Sequence, residues 1–461
     1  MSSINNFQRL LFFIFSFAFF LLLSSCGIYK NYTRSEIATE GLYGETYEAK
    51  DTTNFGNLAW KDVFTDPQLQ ELIQKGLDNN ADLKIARLKI SEAQASLRSA
   101  KLSYLPSFAL SPQGTISSFD GAKATKSYEL PLSASWEIEI FGKLTNAKKQ
   151  EIAALEKSEA YRQAVQNQLI ANIANAYFTL LVLDCQLEIS EVTLQSWEDN
   201  IKATQALKTA GQTTQAAVAQ AEANKLSVEA SIFDMKLQIW GIENTICSLL
   251  GEMPKEVARG RLEEQSFPEE FSAGIPVQML SNRPDVRQAE ASLKQAFYYT
   301  NESRSYFYPS LTLSGSIGWT NSGGGIVSNP GALLWQAVGS LTQPVFNQGK
   351  NKARLKIAQA QQEEAQLTFQ QTILDAGIEV NYLLTAYQTT RAKAYIYEKQ
   401  TEQLETAVSS TKLLMQHGTT NYLEVLTAQQ TLLQAELDQV SNYLEEIQCI
   451  INLYSALGGG R

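Results

Sequence analysis

The feature that most constrains this chain is an internal duplication. Gly142, Gly211 and Gly251 recur 207 residues later as Gly349, Gly418 and Gly458. Earlier in each half the offset is 203, so that Asp82-Leu83 answers Asp285-Val286 and Tyr104-Leu105-Pro106-Ser107 answers Phe307-Tyr308-Pro309-Ser310. Four residues are therefore added in the second half between the proline and the first glycine, inside one loop. Repeats this long are not solenoid units; they describe one supersecondary unit used twice.

Each unit holds two long stretches free of helix breakers. From Lys143 to Ala210, 68 residues pass without Gly or Pro, and from Lys350 to His417 another 68 pass with only Gly377. As helix each would run roughly 100 Å at 1.5 Å per residue. Returning stretches, Gln212 to Leu250 and Thr419 to Leu457, keep a helical period, as in Leu423, Leu426, Gln430, Leu433 and Leu437. Ala, Gln, Glu, Leu and Lys dominate, all good helix formers. A glycine between two such stretches supplies the positive φ of a tight reversal. The expectation is two antiparallel helical hairpins, too long for a globular domain and suited to a coiled coil or tube.

A different periodicity precedes each long helix. Between Glu129 and Ile140 one face carries Leu130, Leu132, Ala134, Trp136, Ile138 and Ile140, and the other Glu129, Pro131, Ser133, Ser135, Glu137 and Glu139. In the second half Leu311, Leu313, Gly315, Ile317 and Trp319 alternate with Thr312, Ser314, Ser316, Gly318 and Thr320. Period two means strands with one apolar and one polar face. Less regular partners run from Ser107 to Ser118 and from Leu333 to Thr342, joined through turn-rich loops at Phe119–Ser127 and Asn321–Gly331. The run Gly323-Gly324-Gly325 gives the second loop flexibility. About ten residues per strand fits a membrane-spanning β-strand. The competing reading, a small soluble sheet over a helix, is weakened because each hairpin is followed by helix alone. In lipid, four strands would expose two unpaired edges, and membrane barrels begin at eight strands. Copies of the chain must then associate to close a barrel; the strands do not by themselves set the number.

At the N-terminus fourteen residues, Leu10–Leu23, apolar except for Ser16, lead to Leu23-Ser24-Ser25-Cys26-Gly27. That run is too short for a membrane span and has the layout of a secretory signal peptide, residues 1–25. Small residues before Cys26 resemble the bacterial lipobox, in which the cysteine is lipidated and becomes the new N-terminus. Gly27, where an aspartate would resemble an inner-membrane retention signal, directs the protein to the outer membrane. Acyl chains contribute about 0.8 kcal/mol per buried methylene, so the anchor is strong. The alternative is an ordinary signal peptide beside a chance cysteine.

After Leu23 no run of 18 apolar residues occurs, which leaves no further candidate membrane helix. The net charge is −10 without a basic cluster, which argues against nucleic acid as a partner. Cys185, Cys247 and Cys449 are far apart in helical, apolar surroundings and read as buried small hydrophobes, not as a disulfide framework or metal site. No nucleophile–histidine motif or phosphate-binding glycine loop is present, and one histidine cannot build a histidine-rich metal site. Met235, Met253, Met279 and Met415 are too scattered for a metal relay. No enzyme and no cofactor is expected beyond the lipid on Cys26.

Four segments carry a family resemblance: Trp60-Lys-Asp-Val-Phe-Thr-Asp66-Pro-Gln-Leu69, Ser135-Trp-Glu-Ile-Glu-Ile-Phe-Gly142-Lys143, Ser281-Asn-Arg-Pro-Asp-Val-Arg-Gln-Ala-Glu290 and Pro344-Val-Phe-Asn-Gln-Gly349-Lys350. In this order, on this duplication, the chain resembles the TolC-like outer-membrane factors, in particular the NodT/OprM lipoprotein branch, from about residue 57 to Gly458. The resemblance implies a mainly α protein with transmembrane β-strands. Three copies would give a 12-stranded β-barrel in the outer membrane and a 12-helix periplasmic α-barrel. Along the chain it implies a lipid-anchored segment at 26–66, a first repeat at 67–251 with its β-hairpin near 104–141, an equatorial linker at 252–280, a second repeat at 281–458 with its β-hairpin near 309–347, and a tail at 459–461. An equatorial belt would gather residues 27–66, about 252–280 and the C-terminus. The implied partners are two further copies, a periplasmic adaptor, an inner-membrane transporter of the resistance-nodulation-division type, and outer-membrane lipid. The implied function is the passive duct of a tripartite efflux pump; the alternatives are the channel of a type I protein secretion system and a structural coiled-coil lipoprotein without a pore. The strands have no use in the last of these.

Gate and docking surface are expected at the hairpin tips. The family places acidic residues six and nine positions after the second tip glycine; here these are Glu424 and Thr427, and the position six after Gly211 is Ala217. One carboxylate ring at the constriction is thus implied, attracting cations. The bland reading of Glu424 is a solvated helix charge. Adaptor docking would use the grooves beside Gly211 and Gly418, with Thr213, Thr214, Thr419 and Thr420 as candidates; helix N-capping explains these threonines equally well. His417 stands at the second tip as a pH-sensitive group or an ordinary surface histidine, and Tyr422 as a packing residue.

Overall fold

The computed structural model describes residues 29–34, 55–265, 267, 282–321, 331–417 and 422–460. Residues 1–25, Cys26, Gly27, the Gly323–Gly325 run, the linker from 268 to 280, Gly418, Thr419 and Thr420 lie outside the described residues. The elements in chain order are α1 (Trp60–Val63), α2 (Pro67–Asn79), α3 (Ala81–Leu102), β1 (Ser107–Leu110), β2 (Gln113–Ser117), β3 (Thr125–Ile138), α4 (Lys143–Thr209), α5 (Gln215–Leu250), α6 (Pro284–Ser305), β4 (Ser310–Thr320), β5 (Ala332–Thr342), α7 (Lys350–Gln416) and α8 (Tyr422–Ala456). The two long helices thus run 67 residues each, the second through Gly377.

The chain forms two compact units, one comprising residues 1–37, 88–159 and 288–371, the other 38–87, 160–287 and 372–461. The first holds the sheet, fully antiparallel in the order β1–β3–β4–β5, with β2 also on β3. The strand expected from Ser107 to Ser118 is broken into β1 and β2, so five segments occupy four positions. Pro131 of β3 accounts for the break. Ser111 donates its N–H to the Pro131 carbonyl at 3.3 Å, but proline has no N–H to return, and the two-bond exchange of an antiparallel pair fails there. Gly318 sits beside the same proline, where a Cβ would lie 2.2 Å from the Leu130 carbonyl oxygen; only glycine lets β4 pass.

The second unit is built on side-chain caps and an aromatic core. Asp66 accepts from Gln68 N–H at 2.8 Å ahead of Pro67, starting α2. Asn80 accepts from Leu83 N–H at 3.0 Å, starting α3, and donates to the Leu249 carbonyl at 3.0 Å. Trp60, Phe64, Ile73, Tyr177, Phe178, Leu250 and Tyr454 pack in one buried cluster. One stretch of α4 is apolar enough to cross a membrane, contrary to the expectation from the sequence, but two thirds of it is buried in the protein. Its Ile170, Ile173, Tyr177 and Leu180 are core residues. The cysteine expectation is also corrected: Cys247 is buried, whereas Cys185 and Cys449 are only half-buried, because helix positions between the core and the solvent face admit a small polarisable side chain.

Three of the repeated glycines close their helices in one geometry. At Gly211 (φ +74°) the N–H groups of Gly211 and Gln212 donate to the Lys208 and Leu207 carbonyls, both at 2.9 Å. This is a Schellman closure, which satisfies helix-end carbonyls through a left-handed residue. Gly251 and Gly458 close α5 and α8 in the same manner.

Candidate functional site

The sheet's register decides what its faces are. Directly opposed residues point to the same side. Trp319 pairs with Leu130 and Leu333, Ile317 with Leu132 and Trp335, Leu313 with Trp136 and Gly339, and Leu311 with Ile138 and Leu341; Phe108 and Leu110 face Ala134 and Leu132. One face is therefore apolar on every strand, with Lys126, opposite Ile116, as a charged intrusion on β3. The other carries Ser107, Gln113, Thr115, Ser133, Ser135, Thr312, Ser314, Ser316, Gln336 and Ser340, with Leu334 and Val338 as apolar intrusions on β5. The apolar side chains are uncovered: Ile116 is 72 % exposed, Trp335 71 % and Phe108 69 %. A sheet with a wide apolar outside and a hydroxyl-rich inside is the wall of a water-filled barrel in lipid.

Both outer edges of this sheet, β1–β2 and β5, lack a strand partner among the described residues. Below the strands Glu139 caps α4 by accepting from the Leu144 and Thr145 N–H groups at 2.5 and 3.2 Å, and Lys143 pairs with Glu137 at 2.8 Å.

The tips show how the candidate gate and docking residues are placed. At the first, Thr214 caps α5, its hydroxyl accepting from Ala217 N–H at 3.3 Å; it is exposed, and Thr213 half-buried. The capping reading thus holds for Thr214, and its exposure leaves a surface beside Gly211. At the second tip α8 begins at Tyr422. Glu424 lies exposed in its first turn, where the helix macrodipole favours a carboxylate. Thr427 is exposed and donates its hydroxyl to the Leu423 carbonyl at 2.9 Å, a helix back-bond. Tyr422 is buried with Trp197, Ala221, Val228, Ile232 and Leu426, so its role is packing. His417 is exposed.

Polar rungs tie α8 to α4. Asn200 donates to Gln429 at 2.6 Å, Gln429 to Ser196 at 3.1 Å, Gln186 to Ser441 at 3.0 Å and Asn175 to Asn452 at 3.2 Å. Two arginine clamps went unread in the sequence. Arg259 grips Asp184 and Glu243, each at 2.5 Å. Arg283 grips Asp285 at 2.8 Å and Glu379 at 2.7 Å while donating to the Ala456 carbonyl at 2.8 Å. Burial works against both guanidinium charges, and the facing carboxylates more than offset it. Tyr177 donates to Asp66 at 2.5 Å and accepts from Gly260 N–H at 3.0 Å; burial, then the bond to Asp66, pushes its phenol up. The signal for Arg283 was its place in Ser281–Glu290; for Glu379, 96 residues away, none existed.

A short strap of residues 29–34 was also unforeseen. Asn31 accepts from Lys149 at 2.8 Å, Tyr32 packs edge-on to Phe297 at 5.8 Å, and Arg34 lies 3.8 Å from Glu290. Burial pushes the phenols of Tyr29 and Tyr32 up to about 12.

An uncovered two-faced sheet in a duplicated, mainly helical chain defines a subunit of an outer-membrane channel. The model of the outer membrane efflux protein family matches residues 72–252 and 275–459, and the chain belongs to that family. It is 29 % identical over 448 residues to the cation efflux system protein CusC of Escherichia coli, covering 95 % of this chain and 97 % of the relative. The crystal structure of CusC superposes with a TM-score of 0.87 at 27 % identity, over 94 % of this chain and all of that one. The probable outer membrane lipoprotein SilC of Salmonella typhimurium is 28 % identical, over 88 % and 89 % of the two chains. The open-state MtrE channel of Neisseria gonorrhoeae matches with a TM-score of 0.84 at 27 % identity, over 94 % and 98 %. The protein is an outer-membrane component of efflux machinery.

Proposed function

We propose that three copies close one duct, a 12-stranded barrel in the outer membrane continued by a 12-helix periplasmic tube, which receives cargo from a periplasmic adaptor and an inner-membrane transporter of the resistance-nodulation-division type. The observation that carries this reading is the register: one apolar and one polar face persist through every strand, while both sheet edges end without a partner among the described residues. Four strands cannot stand in lipid with open edges, and closure by identical copies is the symmetric solution. The duct does no chemistry of its own; transport is passive, and the inner-membrane partner supplies the energy.

Cys26 is the lipid anchor. Tyr29 follows it by three positions, a reach of about 10 Å, so the acyl chains attach close to the strap. Glu424 forms a single carboxylate ring at the constriction, with Thr427 neutral beside it. Gly211, Thr213 and Thr214, together with Gly418, Thr419 and Thr420, form the adaptor-docking tips. Purified protein in planar lipid bilayers is expected to conduct ions as a trimer; a preparation that stays monomeric and silent refutes the duct. Metabolic labelling with palmitate is expected to mark the wild type and not Cys26→Ala, and equal labelling of both removes the anchor.

A further inference from the structure

The two repeats correspond residue by residue around the ends of the strands. Ser107 pairs with Ser135 in the first hairpin and Ser310 with Thr342 in the second, at the offsets of 203 and 207. Trp136 donates to the Tyr104 carbonyl at 2.9 Å, and its counterpart Gln343 to the Phe307 carbonyl at 3.0 Å. Charge does not follow this rule. Where the first repeat leaves β3 it supplies its own anions: Glu137 pairs with Lys143 at 2.8 Å, and Glu139 caps α4. One turn further, Lys149 reaches Asn31 of the strap at 2.8 Å. The second repeat keeps these cations, as Lys350 and Lys356, and adds Lys352 and Arg354. Its counterparts of Glu137 and Glu139 are Pro344 and Phe346, and α7 carries no acidic residue before Glu363.

Arg354 lies 3.9 Å over the Tyr306 ring, but Lys350, Lys352 and Lys356 are exposed and make no ion pair among the described residues. The end of α3 is alike. Arg98 and Lys101 are exposed without an ion pair among the described residues, and no acidic residue stands between Glu92 and β1. All five cations lie just below the sheet. β4 and β5 have 11 residues each, which at about 3.3 Å per residue and a tilt near 40° rise about 28 Å. That is close to the thickness of an apolar membrane core, about 25–30 Å. The strand ends therefore mark the headgroup level, and the cations stand in it. Between β5 and the α7 cations, Val345 is 95 % exposed and Phe346 85 %, an apolar surface that a free anion would leave bare.

We propose that these cations bind the headgroups of anionic phospholipids in the periplasmic leaflet of the outer membrane, with the acyl chains against Val345 and Phe346. The headgroup phosphate takes the place that the carboxylates of Glu137 and Glu139 hold in the first repeat. Basic side chains at the headgroup level attract anionic lipid in this way. The α7 cluster follows β5 and the α3 cluster precedes β1, so each adjoins an open edge of the sheet. In a closed barrel the edges meet, and the α7 cations of one copy stand beside the α3 cations of the next. Like charges repel at such a joint, and a bound anion turns the repulsion into a bridge. The inference rests on the three-copy reading above and assigns it a lipid component.

Native mass spectrometry of the detergent-solubilised protein, titrated with short-chain phosphatidylglycerol, tests the site; short-chain phosphatidylcholine and inorganic phosphate are the comparison probes. The wild type is expected to bind phosphatidylglycerol more tightly than either. A basic side chain at an anionic lipid surface is worth about fivefold in affinity. Lys352→Gln alone is therefore expected to weaken binding about fivefold, and its combination with Lys350→Gln and Lys356→Gln about a hundredfold. Arg98→Gln with Lys101→Gln is expected to cost about thirtyfold, and arginine at all three α7 positions to retain binding. Lys202→Gln, in an exposed pair with Asp199, is expected to leave binding unchanged. Equal binding by wild type and the glutamine variants overturns the proposal, as does phosphatidylcholine binding as tightly as phosphatidylglycerol. Loss of binding in the arginine variant overturns it too, since charge is kept there. Phosphate competing as tightly as phosphatidylglycerol overturns the lipid identity of the ligand. A wild type that is monomeric throughout, whatever lipid it carries, overturns the oligomeric reading instead.

Discussion

Arg283 offers the most quantitative test of the unit that carries the tips. Replacing it by Met keeps much of the volume and removes the charge. The guanidinium is buried, 8 % exposed, and makes four hydrogen bonds: two to Asp285 at 3.0 and 2.8 Å, one to Glu379 at 2.7 Å and one to the Ala456 carbonyl at 2.8 Å. Ala456 closes α8 in a buried site, so its carbonyl loses a donor that water does not replace, at about 1–3 kcal/mol. Asp285 and Glu379 are 46 % and 50 % exposed in their side chains; they stay hydrated, and each contributes about 0–1 kcal/mol. Against this stands the relief of guanidinium desolvation, which in some proteins cancels the loss altogether. The net expectation is destabilisation by about 2 kcal/mol, with Arg283→Lys intermediate because an ammonium keeps charge but not the two-pronged grip. Denaturant unfolding of the detergent-solubilised protein, read by Trp fluorescence, measures it. A Met variant within about 0.5 kcal/mol of wild type would show that burial of the charge costs as much as the clamp returns, and the reasoning would fail.

Glu424→Gln is expected to move the bilayer reversal potential under a salt gradient toward non-selectivity, and Glu424→Lys to reverse the preference; an unmoved potential takes Glu424 out of the throat. Gly211→Val places a β-branched residue at φ +74° and is expected to cost about 1–2 kcal/mol locally, visible as faster proteolysis near 207–215; since a Cβ there meets nothing within 4 Å, unchanged proteolysis refutes the strain argument. Burial, with Glu405 nearby, raises the Glu436 carboxyl pKa. A raised folded pKa means a contribution to stability that is present below the unfolded value and lost as pH rises through the folded one. Glu436→Gln is therefore expected to raise Tm at neutral pH and to converge with wild type under acid conditions; the opposite pH trend refutes it.

Most of the fold was legible because it depends on periodicity. Helix runs without Gly or Pro and alternating strands announce themselves locally, and the starts of α4 and α7 fall at Lys143 and Lys350, where their glycines place them. What stayed hidden depends on neighbours distant in sequence. The break between β1 and β2 falls at Ser111-Pro112, but the missing return bond belongs to Pro131 on the facing strand, which residues 107–118 alone do not reveal. The burial of Tyr422 depends on Trp197, and the clamp on Arg283 depends on Glu379. The strap at 29–34 carries no period at all, being held by single contacts to Lys149, Phe297 and Glu290. At the first tip the threonine ambiguity was real: Thr214 is a cap, and the same exposed hydroxyl remains on the surface.

The duplication has been kept strictly in one place and abandoned in another, for a physical reason. In the strands a slip of one residue exchanges lipid and water faces over a whole strand, so the two hairpins agree pair for pair and even repeat the side-chain bonds of Trp136 and Gln343. The loop between the strands is free of that constraint and absorbs the four added residues. The tips are free of it as well. A Schellman glycine fixes the reversal at Gly211 whatever the next turn displays, so Ala217 and Glu424 can differ without cost to either hairpin. On the proposed duct, charge at the constriction can thus be changed one hairpin at a time, and a closed trimer would present three carboxylates from Glu424 where six positions exist. Placing a second ring through Ala217→Glu is expected to leave assembly intact and to steepen cation selectivity. Unchanged selectivity in a correctly assembled trimer would mean that position 217 does not face the throat, and that the two hairpins differ at the tip in direction as well as in charge.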